Sequence, residues 1–270
     1  MKLTRHTAVA GRFYPADPHA LETQLEEWFA SAGRSETVRT ALIAPHAGYV
    51  YSGATAAKAY ACSRIPNSVV ILCPNHTGEG PRLSIWGRGG WQTPLGDIEI
   101  DEALAAKLVA TLPDLTPDET AHRYEHAIEV HLPFLRFLNP DVRIVPIVVG
   151  PLNSARSLAI GSEMGKVLAT EHTRPLLVAS TDMSHYVPAS VAEQLDRLAL
   201  GKLSTLDPAG LYQTVSDNGI SMCGFIPTVI TIQAAIELGA THCHLIEYTN
   251  SGVTSGDYDS VVGYAAAYID

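Results

Sequence analysis

The sequence predicts a single-domain α/β sandwich, with a central mostly parallel or mixed β-sheet flanked by helices. Three observations carry that expectation. Short apolar runs of strand length alternate with amphipathic stretches at helical spacing along the whole chain. Several of these runs, such as residues 69–73 and 175–181, read as buried strands. No linker, internal repeat or low-complexity tract divides the 270 residues, so one domain over 1–270 is expected.

Taken in order, residues 10–18 form an irregular lead-in, with Asp17 placed to cap a helix and Pro18 suited to its first position. Leu21, Leu25, Trp28 and Phe29 then recur at helical spacing. Ala41-Leu42-Ile43-Ala44 reads as a strand that stops at Pro45-His46 before a loop bounded by Gly48 and Gly53. The alanine-rich stretch 54–63 is the next helix. Residues 69–73 repeat the logic, a strand ending in Pro74-Asn75-His76 ahead of Gly78. Residues 83–86 alternate as a strand should, and the glycines of 87–90 break it.

A turn at 93–97 leads to a short strand at 98–100, a helix capped by Asp101 to about Thr111, and a loop at 113–120. Ile128, Leu132, Leu135 and Leu138 make a helical stripe that Pro133 must kink or restart. Residues 143–149 are strand-like, and Pro146 suggests an edge or irregular position. A helix at 154–169 precedes the strand 175–181, which ends in the polar cluster Asp182-Met183-Ser184-His185-Tyr186. Helices at 190–204, 208–216 and 227–238 follow. Strands at 244–249 and 260–269 enclose a polar, glycine-containing loop at 250–257.

Composition narrows the function classes. At 46% hydrophobic and 17% charged the chain has ample material for a core. A net charge of −10 and a pI near 5.5 argue against a nucleic-acid partner, which calls for a basic footprint. No apolar run spans a bilayer, and the stretch Met1 to His6 has no long apolar core behind it, so neither membrane nor secretory signal is expected. Cys62, Cys73, Cys223 and Cys243 are widely spaced without a CxxC, as in a reduced cytoplasmic protein. All but Cys223 read as inert core residues.

His46 and His76 form the strongest pair. Both follow strand ends, where ligands gather in open α/β sheets, and two imidazoles on separate loops can converge on one metal ion. The plainer reading makes each a loop histidine bonded to nearby backbone. Cys223 lies just before a helix whose early turn contains Pro227. A helix N-terminus stabilises a thiolate, and Gly224 leaves room for a ligand or metal beside the sulfur; the alternative is a packed core thiol. Asp182 and His185 are close enough in a turn to face one pocket, with His185 as general base and Asp182 orienting it or binding metal. A helix-capping Asp182 beside a solvated His185 is the competing reading.

Glu125, His126, Glu129 and His131 are a further polar group, with Glu125 and Glu129 on one helical face. His126 and His131 are about 140° apart around a helix and so do not make the HExxH pair of a zinc protease. One of them is expected to line the pocket and the other to be structural. No Walker lysine, GxGxxG fingerprint or GxSxG elbow is in place.

Ala44-Pro45-His46-Ala47-Gly48-Tyr49, Pro74-Asn75-His76, Thr93-Pro94-Leu95, Glu125-His126-Ala127-Ile128-Glu129-Val130-His131-Leu132-Pro133, Ser180-Thr181-Asp182-Met183-Ser184-His185 and Cys223-Gly224 together resemble the Memo family, in the same order. The resemblance runs from Gly11 to the final strand. It implies a fold similar to the class III extradiol dioxygenases, which use non-haem iron to open catechol rings. In it His46 and His76 match the two histidine ligands, His185 matches the catalytic base, and Cys223 takes the place of the carboxylate ligand. A thiolate favours softer ions such as Cu(I) or Zn(II) and alters the potential of iron. The implied cofactor is therefore iron or copper, with zinc admissible, and either Cys223 or Asp182 as third ligand.

The resemblance supports a cytoplasmic metal-dependent redox or dioxygenase-like protein of unknown substrate. It also leaves an alternative, a non-catalytic module holding a peptide or protein in the same cleft. The eukaryotic relatives, for which the family is named as a mediator of cell motility, associate with phosphotyrosine peptides. The cleft motifs, however, contain no clustered arginines to cradle a phosphate. Bacterial and archaeal members are encoded with, and named alongside, a radical-SAM protein and a small companion domain, which makes these implied partners.

Overall fold

The computed structural model describes residues 3–270, so Met1 and Lys2 of the amino-terminal stretch read above lie outside the described residues. Among the described residues, twelve strands join one mixed sheet. Its middle is parallel: Ile98–Ile100, Arg143–Val149, Ser68–Pro74, Leu176–Ser180 and Ala41–Ala44 lie side by side in that order. Val261–Ile269 continues it antiparallel to Ala41–Ala44, with Cys243–Asn250 along its other edge and His185–Val187 near its start. At the opposite side Gly90–Trp91 and Thr4–Arg5 complete the sheet, and Leu83–Ile85 runs antiparallel to Arg143–Val149.

The central strands are buried at nearly every position, because helices cover both faces and leave no polar side to alternate with. One group of helices, Pro18–Ala32, Tyr49–Ala61 and Leu132–Leu138, packs together on one face; Ser154–Leu168, Ala189–Ser204, Pro208–Asp217 and Phe225–Glu237 form the other group. Ser154–Leu168 and Phe225–Glu237 touch most closely. A Cβ on Gly161 would lie 2.7 Å from the Ile230 carbonyl oxygen, so only glycine permits that approach. The buried apolar side chains form a continuous cluster through both layers. No helix among the described residues is long and apolar enough to cross a membrane.

Asp17 caps Pro18–Ala32 through its carboxylate, and Pro133 restarts the chain as Leu132–Leu138 after the short turn His126–Glu129. Four expectations need correction. The second helix begins at Tyr49, directly after Gly48, so the expected loop at 49–53 is helical. Gly90–Trp91 is a strand despite the glycines before it. The short strand Thr116–Pro117, which pairs with Leu83–Ile85, and the Gly252–Ser255 turn form where only loop was expected. Arg143–Val149 is an interior strand in spite of Pro146. On the side that Pro146 faces, the neighbour changes from Ile98–Ile100, opposite residues 143 and 144, to Leu83–Ile85, opposite 147 to 149. The missing N–H falls in that gap, while the Pro146 carbonyl accepts from Trp86 N–H at 3.3 Å.

Candidate metal centre

Three parallel strands that are neighbours in space, Ser68–Pro74, Leu176–Ser180 and Ala41–Ala44, end level with one another: Ala44 is in register with Ser180, and Leu72 with Ala179. Two residues beyond these ends stand His76, Asp182 and His46. The loop ahead of Phe225–Glu237 brings in Cys223. His46 Nε2 is 3.3 Å from Cys223 Sγ, and the donor atoms of His46, His76 and Cys223 all lie within 4.8 Å of one another. Asp182 is aligned differently: its Oδ1 accepts the His46 backbone N–H at 2.8 Å, and its Oδ2 is 4.0 Å from His46 Nε2. Of the two candidates for a third ligand, Cys223 joins the compact donor set and Asp182 braces the His46 loop.

The donor set suits a transition-metal ion. Imidazole and thiolate bind Zn, Cu and Fe at roughly 2.0–2.3 Å, and side chains within this spread need only small rotamer changes to converge. His76 has its ring fixed: Nδ1 lies 2.9 Å from Glu125 Oε1, while the His76 backbone N–H donates to Glu125 Oε2 at 2.7 Å. Burial tends to raise the Glu125 pKa, but the hydrogen bond and charge of His76 and the Ala127 N–H hold the carboxyl below its usual range. The carboxylate therefore accepts the Nδ1 proton, and Nε2 is the ring nitrogen left free to face a ligand. A carboxylate behind a ligand histidine is a recurrent device for orienting it.

Cys223 departs from expectation. Burial, followed by the neighbouring Asp182 carboxylate, pushes its thiol well above the usual range, outweighing any help from the helix N-terminus. The thiol form can donate to His46 Nε2 or to the Asp182 carbonyl, 3.7 Å away. Nor does Gly224 leave ligand space: a Cβ there would lie 2.3 Å from the Ser180 carbonyl oxygen and 2.5 Å from Thr181 Cβ. Glycine instead lets the cysteine loop press against the end of Leu176–Ser180. Burial raises Asp182 to about 6, against the stabilising His46 N–H.

His185 approaches from the far side. Its Nδ1 is 2.9 Å from the Ser221 carbonyl, an acceptor only, so Nδ1 is the donor there and Nε2 is the nitrogen left free of that bond. A cleft of about 570 Å³ opens over the group, lined by His46, His76, His126, His185, Asp182 and the rings of Phe13, Tyr51, Tyr186 and Tyr264. Tyr186 is 78% exposed and holds φ at +57°, a conformation rare for a bulky side chain, on the rim beside His185.

The Glu125 to His131 segment divides its work differently from a single helical face. Glu125 reaches His76, whereas the fully buried Glu129 pairs with Arg5 at 2.6 Å and accepts the Tyr14 hydroxyl and the Ala8 and Val9 N–H groups. His126 lines the cleft, with its ring centre 4.8 Å from that of His76. His131 is buried and reaches Ser180 Oγ at 2.8 Å. Sequence reasoning missed the roles of Ser180, Ser221 and Arg5 and placed Glu125 without its partner.

The Memo-like protein family profile matches residues 5–268. A MEMO1 family protein of Methanothermobacter thermautotrophicus is 39% identical, covering 97% of this chain and 99% of its own. One of Aquifex aeolicus is 41% identical over 96% and 97% of the two chains, and one of Methanosarcina barkeri 39% identical over 98% and 100%. Among solved structures, an uncharacterized protein of Escherichia coli K12 matches with a TM-score of 0.48 and 16% identity over 75% of this chain and 86% of that one, too slight a likeness to argue from.

Proposed function

The chain belongs to the Memo family, and from that premise we propose that it is a metal-dependent redox or dioxygenase-like protein holding one iron or copper ion on His46, His76 and Cys223, with zinc admissible. The observation that carries the reading is the convergence of these three donor atoms within 4.8 Å of one another, with His46 and His76 beyond strand ends and lining an open cleft and Cys223 joining them from the loop before Phe225–Glu237. Bound there, the ion would supply electron transfer or the polarisation of a coordinated substrate.

The chain's own groups do the rest. Glu125 fixes His76, and Asp182 fixes the His46 loop through the backbone. His185, with Nδ1 tied to Ser221, offers Nε2 as the base that takes a proton from a substrate in the cleft. Asp182, raised to about 6, stands near neutrality as a second proton-holding group. The aromatic lining of Phe13, Tyr51, Tyr186 and Tyr264 supplies apolar contact and displaces water from the reacting group.

Metal analysis of anaerobically purified protein tests the proposal, with wild type beside Cys223→Ala and His46→Ala and circular dichroism to check folding. Near-stoichiometric iron or copper in wild type, lost from both folded variants, is the expected result. Full occupancy in either variant refutes the ligand set. No metal in wild type even after anaerobic reconstitution moves the cleft to the alternative reading, a module that binds a peptide without metal.

A further inference from the structure

Ser180, the last residue of the strand between the two histidine strands, is fully buried and touches three partners: the Ala127 carbonyl at 2.6 Å, His46 Nδ1 at 2.7 Å and His131 Nε2 at 2.8 Å. A serine hydroxyl has one proton and two lone pairs. The Ala127 carbonyl has no proton to give, so the hydroxyl proton must point at it. Both imidazole nitrogens must then donate. His46 is thereby the Nδ1–H tautomer and His131 the Nε2–H tautomer. The lone pair of His46 is left on Nε2, the nitrogen 3.3 Å from Cys223 Sγ.

We infer that Ser180 and His131 are positioning residues that lock His46 into the tautomer whose free nitrogen faces the cleft, before any ion arrives. Turning the Ser180 hydroxyl toward His46 would strip Ala127 O of its donor and move the histidine proton to Nε2, where it blocks ligation. Turning it toward His131 would force that ring's proton onto Nδ1. His131 Nδ1 is buried and has no hydrogen-bond partner among the described residues, and an N–H there would be an orphaned donor. As an unprotonated acceptor the atom is tolerated. His131 thus closes the alternative setting of the serine rotor, although it touches no ligand itself.

This inference rests on the proposed ligand role of His46, but its first test needs no metal. In the metal-free full chain with ¹⁵N-labelled histidine, long-range ¹H–¹⁵N spectra read the tautomer of each ring; the signals of interest are those lost in His46→Ala and His131→Phe. The expected result is opposite tautomers, Nδ1–H for His46 and Nε2–H for His131. Matching tautomers, or an unprotonated Nδ1 on His46, overturn the inference whether or not the protein binds metal. The second test measures zinc(II), a redox-silent probe, on Ser180→Ala and Ser180→Thr. Loss of the hydroxyl should weaken zinc binding about 10- to 100-fold, and threonine should restore most of it. Unchanged zinc affinity in a folded Ser180→Ala also overturns the inference, and should that variant fail to fold, the spectra of the parent chain decide. Parent protein that binds no zinc but shows the opposite tautomers would sink the metal reading and leave the lock standing.

Discussion

Glu125→Gln is the most informative single perturbation, because it changes one atom of a side chain with 0% exposure. The carboxylate accepts three protons with good geometry: His76 backbone N–H at 2.7 Å on Oε2, and His76 Nδ1–H at 2.9 Å and Ala127 N–H at 3.0 Å on Oε1. Glutamine keeps only one oxygen. With its NH₂ in place of Oε2, the amide faces the His76 backbone N–H, donor against donor. With its NH₂ in place of Oε1, it opposes two donors, unless His76 moves its proton to Nε2 and so gives up the nitrogen needed for an ion. A buried unpaired N–H costs about 1–3 kcal/mol, and a charge-assisted hydrogen bond is lost besides. The expected destabilisation is therefore about 2–4 kcal/mol, with zinc binding weakened about 10- to 100-fold. Denaturant unfolding and zinc titration of the same two proteins measure both. A variant as stable as wild type with undiminished zinc affinity would refute the orienting role of Glu125.

Gly224→Ala tests the close approach of the cysteine loop to the strand end. Its Cβ would overlap the Ser180 carbonyl and Thr181, so the loop must back away; a loss of about 1–3 kcal/mol is expected in thermal melts, together with weakened metal retention. Unchanged melting and metal content would show that the loop tolerates the shift. His122 makes stability depend on pH. Burial, then the Arg5 charge, lower its pKa to about 3, against about 6.5 in an unfolded chain. The unfolded chain therefore binds the extra proton first, so the stabilisation is complete above about pH 6.5 and is lost as pH falls toward 3, at about 1.4 kcal/mol per unit, or ~2 kcal/mol by pH 5. His122→Leu should flatten the stability profile between pH 7 and 5, and an unaltered slope would contradict the assignment. The slope should not vanish, because His126 and His131, lowered to about 4 and about 3 chiefly by burial, have the same sign.

What could be read from the chain was what is local. An apolar run stopped by proline and followed by histidine states where a strand ends, and that placed His46 and His76 at the mouth of the sheet before any topology was known. Asp17 and Pro18 likewise declare a helix start within two residues. Strand order is a different kind of fact. Ser68–Pro74 and Ala41–Ala44 are successive strands in the chain, yet Leu176–Ser180 is inserted between them, and only that insertion puts Ser180 within reach of His46. The helix start at Tyr49 was hidden because Tyr49, Val50 and Tyr51 have strand-like side chains and Gly48 offers no side-chain cap. Pro146 misled because a rule about lost hydrogen bonds presumes one continuous neighbour, and this strand has two on the side that proline faces.

The segment from Glu125 to His131 shows why spacing alone misassigned its roles. If it were one regular helix, Glu125 and Glu129 would lie on one face and serve one purpose. Instead it is a single turn, His126–Glu129, between two irregular ends, and the polar side chains of Glu125, Glu129 and His131 are buried away from solvent. Each must then find a partner of its own. Glu125 takes His76, Glu129 takes Arg5 and the amino-terminal lead-in, and His131 takes Ser180. Arg5 closes the circuit by donating to the Glu125 carbonyl at 2.7 Å, so the buried pair that anchors the lead-in also holds the backbone that aims His76. A buried polar group is thus explained by what it meets across the fold, and the residues that aim the candidate ligands stand far from them in sequence.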